Sequence, residues 1–170
     1  KARFCLSASA PFRVALSETD FYLLADYCAS RGIGFLSSPF DQESIDLLLR
    51  LDIDTWKIPS GEITNYPYLV QIARSGKPII LSTGMSSLEE IGEALSVLTA
   101  NGLTKEKITL LHCTTEYPAP YEDVHLYAMR RLGEIFGVKT GYSDHTEGTA
   151  IAVAAAALGA CVIEKHFTLD

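Results

Sequence analysis

The sequence predicts a parallel β/α protein, either a piece of a (β/α)8 barrel or an open doubly wound sheet. Apolar strand-like segments alternate with amphipathic helical stretches. Their starts recur every 22–30 residues or so, the usual length of one βα unit. No hairpin signal interrupts this alternation. Most telling is where the polar residues fall. Residues 56–62 (WKIPSGE), 78–85 (PIILSTGM), 108–120 (ITLLHCTTEYPAP), 139–146 (KTGYSDHT) and 162–170 (VIEKHFTLD) each run from an apolar strand into Ser, Thr, Lys, Glu or His. Parallel β/α folds gather strand C-termini on one face, and active sites sit there. The pattern is that of an enzyme.

Residues 1–16 carry no clear period and read as loop. Ser17 with Asp20 forms a capping box that opens a helix to about Ser30, with Phe21, Leu24, Tyr27 and Cys28 on one face. Arg31-Gly32 ends it. Strands follow at about 33–38, 55–59, 78–83, 107–113, 137–143 and 161–167. Helices lie between them at about 43–51, 66–75, 87–100, 122–136 and 148–159. Ser87 with Glu90 makes a second capping box. Gly76, Gly102, Gly137 and Gly159 stand where helices should stop. No linker or low-complexity stretch divides the chain, so residues 1–170 read as one domain. A full barrel needs about 250 residues, so six units are too few to close one.

The formal charge of −7 argues against a nucleic-acid or anionic-membrane partner. It leaves an anionic small substrate open, because a few local cations decide that. Cys5, Cys28, Cys113 and Cys161 are widely spaced without a CxxC pair, which fits reduced thiols and a cytoplasmic location. The apolar run at 150–158 is too short to span a bilayer, and Lys1 opens no signal peptide.

His145 and His166 end neighbouring strands, 21 residues apart. Adjacent strands would bring both imidazoles to one mouth, where neutral His nitrogen ligates first-row divalent metals. The plainer reading is two hydrogen-bonded rim residues. No third protein ligand is evident, so water or substrate would complete a metal's shell. Ser143 shares the parity of His145. Lys57 stands in an otherwise apolar strand, where burial is costly unless it meets an anion. Ser60, Ser82 and Ser143 end three strands, and small hydroxyls around a lysine suit a phosphate; strand-end serines more commonly cap turns. Glu62 is either a general acid or base or a partner for a lysine. Tyr117 is either a substrate contact or a loop packing residue. Asp144 orients His145 or the loop beside it. His112, in a strand, and His125, in a helix, read as structural.

Together the segments KIPSGEITNYPYL, KPIILSTGMSSLEEI, LLHCTTEYPAPYEDVHL, GYSDHTEGTAIAVAAAALGA and VIEKHFTLD resemble the sialic acid synthase family, the N-acetylneuraminate synthases, which includes legionaminate and pseudaminate synthases. The resemblance covers about residues 17–170. It implies a (β/α)8 TIM barrel, incomplete here, with the chain supplying strands three to eight. It implies condensation of phosphoenolpyruvate with an N-acetylated aldose, N-acetylmannosamine or a relative, to a nine-carbon 2-keto acid with release of phosphate. The family's divalent metal, Mn2+ or Mg2+, maps onto His145 and His166 as ligands. Phosphoenolpyruvate contacts map onto Lys57, Ser60, Ser82 and Ser143, and a family threonine maps onto Ser38. Glu62 takes the place of a proton-shuttling glutamate, and Tyr117 that of a sugar-contacting tyrosine. Thr115 stands where some members carry an asparagine for the phosphoenolpyruvate carboxylate. It keeps one donor and loses the amide. No segment matches the glutamate, lysine and glutamine of the family's first two strands, and the C-terminal antifreeze-like domain is not matched either. A homodimer is implied for the full-length enzyme. Two rivals stand beside this reading. One is a Schiff-base aldolase acting through Lys57 or Lys165; the other is a non-catalytic fragment that binds a sugar or a partner.

Overall fold

The computed structural model describes residues 16–167, together with the backbone of residues 3–6. It resolves into two compact units, Lys1–Lys57 and Ile58–Asp170. The fold is a partial (β/α) barrel of parallel strands alternating with helices.

The first unit holds β1 (Arg3–Leu6), α1 (Glu18–Ser30), β2 (Gly34–Ser37) and α2 (Gln42–Arg50), and leads into β3 (Trp56–Ile58). β1 pairs in parallel with β2, Arg3 opposite Gly34. This corrects the loop expectation at residues 3–6 and makes one strand more than the six expected; residues 1–2 and 7–15, also expected as loop, lie outside the described residues. The four-residue β1 has no period of its own; its hydrogen bonds go to a strand about thirty residues away. α1 begins as its capping box requires: Ser17 accepts from the Asp20 N–H while the Asp20 carboxylate accepts from the Ser17 N–H. Its apolar face is shallow. Phe21 meets Phe35 edge to face at 6.2 Å, but Tyr27 is 60% exposed. Among the described residues here, Leu36, Ile45, Leu48, Ile53 and Trp56 are the buried apolar side chains.

The second unit is built from α3 (Tyr66–Arg74), β4 (Ile79–Ser82), α4 (Leu88–Ala100), β5 (Ile108–Cys113), α5 (Leu126–Phe136), β6 (Lys139–Asp144), α6 (Ala150–Ala157) and β7 (Ile163–Lys165). The five-stranded sheet runs β3-β4-β5-β6-β7, and each described pairing is parallel. β4 is buried along its whole length and β5 along most of it. That is why both read as continuous apolar runs rather than alternating ones. Helices cover the strands through residues such as Leu69, Ile72, Leu98 and Met129, all at 0% exposure. The Ser87–Glu90 capping box starts α4. Gly137 ends α5 in the left-handed conformation, φ 65°.

α5 starts later than its periodicity suggests. Residues 121–123 form a single 3-10 turn, and His125 precedes the helix as its N-cap residue. The Tyr121 hydroxyl donates to the Glu147 carbonyl at 2.8 Å, and this ties the segment to the loop after β6. Gly141 answers a close approach. A Cβ there would run into the Val162 carbonyl and the Leu111 side chain, so only glycine lets β5, β6 and the start of β7 come this near. No described helix is long and apolar enough to cross a membrane.

Candidate active site

The ends of β5, β6 and β7 converge. β6 and β7 pair Ser143 with Glu164 and Asp144 with Lys165. Side chains alternate along a strand, so these two rungs use opposite faces.

On the first face the Ser143 hydroxyl donates to the Glu164 carboxylate at 2.6 Å. The same oxygen lies 3.4 Å from His145 Nε2. His145 Nδ1 sits 2.7 Å from the Thr114 carbonyl oxygen. A carbonyl only accepts, so Nδ1 carries the proton and Nε2 keeps its lone pair. The Ser143 proton is already committed to Glu164, so Nε2 remains available. Burial holds the His145 pKa below its ordinary value. The Thr114 bond opposes this, and the neighbouring His166 reinforces it. The ring is therefore neutral at neutral pH.

His166 stands one residue beyond β7. Its ring lies 5.5 Å from that of His145, nearly perpendicular to it. Tyr117 closes the group, 4.1 Å from the His145 ring and 5.8 Å from His166. It is 63% exposed and rides on the loop after β5. That loop is docked by the Ala119 N–H, which donates to the His145 carbonyl at 2.9 Å. Burial, then Cys113 and Glu164, raise the Tyr117 pKa, so its hydroxyl stays a donor. Tyr117, Asp144, His145, Thr146, Lys165 and His166 line a cavity of about 330 Å³.

On the opposite face Asp144 is fully buried. One of its oxygens accepts from the Thr146 N–H and hydroxyl, the other from Lys165 Nζ at 2.8 Å. Burial raises its pKa, but the Lys165 and Thr146 bonds outweigh that and the net shift is downward. Removing one partner of such a buried pair typically costs about 3–5 kcal/mol.

A second cluster forms around the turn after β4. The Gly84 N–H donates to Ser60 Oγ at 2.9 Å, and Cys113 Sγ lies 3.5 Å from that oxygen. A Cβ on Gly84 would approach Thr115 Cγ2 to 2.6 Å and Cys113 Sγ to 2.9 Å. Ser60, Thr115 and Cys113 thus crowd one glycine. Ser82, at the end of β4, is buried.

The structure therefore brings Ser143, His145, His166 and Tyr117 into one group, and Ser60 and Thr115 into a neighbouring one. Glu62 lies in the 3-10 turn Ser60–Glu62 and accepts from Asn65 Nδ2 at 2.8 Å. Ser38 and Lys57 belong to the first unit, where Lys57 is 4% exposed. Glu164 escaped sequence reasoning, because one acid in VIEK reads as ordinary strand alternation. Its role comes from its register opposite Ser143, which the sequence pattern does not show. Lys165, one of the two Schiff-base rivals, has its ammonium bonded to Asp144 and to the Thr146 carbonyl.

A metal fits the donor set in one respect. His145 keeps an unprotonated Nε2, and its ring lies 5.5 Å from that of His166. No group of three or more His, Cys, Asp or Glu side chains suited to a metal occurs among the described residues. Two histidines would hold the ion, with water or substrate filling the other positions.

Residues 9–170 match the profile of the NeuB family. The chain is 64% identical over 138 residues to the N,N'-diacetyllegionaminic acid synthase of Campylobacter jejuni, covering 81% of this chain and 41% of that one. It is 35% identical over 155 residues to the human N-acetylneuraminate-9-phosphate synthase, covering 91% and 42%. A solved N-acetylneuraminic acid synthetase from Leptospira borgpetersenii superposes with a TM-score of 0.88 at 32% identity, covering 99% of this chain and 62% of that one. The chain thus spans about two fifths of the length of these curated relatives. With a matched profile over nearly its whole length, the chain belongs to the NeuB family, the sialic acid synthases.

Proposed function

We propose that the full-length protein condenses phosphoenolpyruvate with an N-acetylated amino sugar, N-acetylmannosamine or a relative. One water is consumed, and the products are a nine-carbon 2-keto acid and phosphate. The observation that carries this reading is the His145–His166 pair above the cavity, in a chain whose relatives are named as synthases of this type.

Each residue has a task in this reading. His145 and His166 hold Mn2+ or Mg2+. When bound, the metal supplies a Lewis acid toward the sugar's open-chain aldehyde. Tyr117 donates to a sugar hydroxyl from the loop docked on His145. Ser60, Ser82, Ser143 and Thr115 offer hydroxyls to phosphoenolpyruvate, and the family resemblance adds Ser38 and Lys57 as further candidates for that substrate. Lys57 meets the anion as a buried cation, and Glu62 moves a proton. The three described cysteines whose thiols are free, Cys28, Cys113 and Cys161, suit a reducing cytoplasm.

The test is steady-state turnover of the full-length protein across a Mn2+ titration. His145→Ala and His166→Ala should each lose metal-dependent turnover. Lys57→Ala should raise the phosphoenolpyruvate requirement by an amount equivalent to about 2–5 kcal/mol, and added Mn2+ should not rescue it. Unchanged metal dependence in both histidine variants would sink the metal assignment.

A further inference from the structure

We infer that the Asp144–Lys165 pair is a positioning clasp that sets the separation of His145 and His166, and with it the affinity of the pair for a divalent cation. The inference rests on the metal reading above and goes beyond it, because neither residue is asked to touch the metal or the substrate.

The β6–β7 register ends at the Asp144–Lys165 rung. Both histidines stand one residue past it, so strand pairing does not hold their spacing. Lys165 supplies polar links at this level. Lys165 Nζ donates to the Asp144 carboxylate at 2.8 Å and to the Thr146 carbonyl at 2.7 Å. Asp144 and Thr146 flank His145, and Lys165 precedes His166. Asp144 closes the bracket by accepting from both the N–H and the hydroxyl of Thr146. The two sides of His145 are thereby tied to the neighbour of His166. His145 has an independent anchor on β5, through Nδ1 to the Thr114 carbonyl. His166 meets its neighbours ring to ring, at Tyr117 and His145. Loss of the clasp should therefore free His166 more than His145. A fully buried carboxylate holding an ammonium is a directional restraint, one that an apolar contact of equal size would not supply.

The experiment measures Mn2+ affinity of the full-length protein by electron paramagnetic resonance of the free ion, with circular dichroism melts alongside. Lys165→Met and Asp144→Asn should each weaken binding by about 10–100-fold, the usual cost of losing an outer partner of a metal site. The double variant should bind about as weakly as Lys165→Met alone, which already removes both bonds of the Lys165 ammonium. Lys165→Arg should recover most of the affinity. The Lys165 side chain is 23% exposed, so its Met variant should fold even where Asp144→Asn does not. A clasp that serves stability alone would lower the melting temperature and leave Mn2+ affinity within twofold of the wild type. That result overturns the inference while the metal reading stands. No Mn2+ binding by the wild type would overturn both.

Discussion

His112 shows how one buried side chain makes stability depend on pH. It lies on β5 with its Nε2 buried and without a hydrogen-bond partner. Its ring is 5.7 Å from that of Tyr142. Burial, and next the charge of His125, lower its pKa below the ordinary value. The unfolded chain takes up this proton near pH 6.5, whereas the folded chain resists it. The contribution to stability is thus fully present above about pH 6.5 and is lost as pH falls through the lower folded pKa. Urea midpoints should fall between pH 7.5 and 5.5, and His112→Phe should make that fall shallower. An identical slope in the variant would show that His112 is not the titrating group. His145 has a similar downward shift for a similar first cause, but there it leaves a neutral nitrogen that can ligate a metal.

At the scale of elements, helix starts are set by short-range hydrogen bonds. Ser87 and Glu90 satisfy two N–H groups that the first turn of α4 leaves open. Ser87→Ala should cost about 1 kcal/mol, read as a lower denaturant midpoint with an unchanged slope. A loss near zero would mean that packing of Ile91, Ala94, Leu95 and Leu98, all buried, already fixes the helix start. α5 is the contrasting case. Its first turn has no side-chain cap, and the segment before it is tied to the loop after β6 by the Tyr121–Glu147 bond.

At the scale of the whole molecule, a bound ion couples the site to folding. If the two histidines hold Mn2+ only in the folded state, a free concentration of about 100 times Kd should add about 2.7 kcal/mol of stability. The thermal midpoint should rise on adding Mn2+, and the rise should vanish in His145→Ala. A wild-type melting curve indifferent to Mn2+ would remove the basis for assigning the pair to a metal. The same linkage explains why the loop bearing Tyr117 matters beyond its own contacts. Through Thr114 and Ala119 it holds the ring and the carbonyl of His145, so its docking and the availability of Nε2 go together.

What the sequence by itself determined is what short-range chemistry determines. The capping boxes at Ser17 and Ser87 span four residues each, and they were legible because all their partners lie inside about one helical turn. β4 and β5 were legible because burial on both faces leaves an unbroken apolar run. The pair His145 and His166 could be singled out because one βα unit separates strand ends that become neighbours. Tertiary structure alone decided the rest, because those choices depend on partners far along the chain. β1 exists by virtue of β2. The protonated nitrogen of His145 is chosen by a carbonyl 31 residues earlier. Glu164 and Lys165 take their roles from residues 21 positions away on β6. A periodic pattern tells a strand from a helix; only the register between strands tells which polar groups meet.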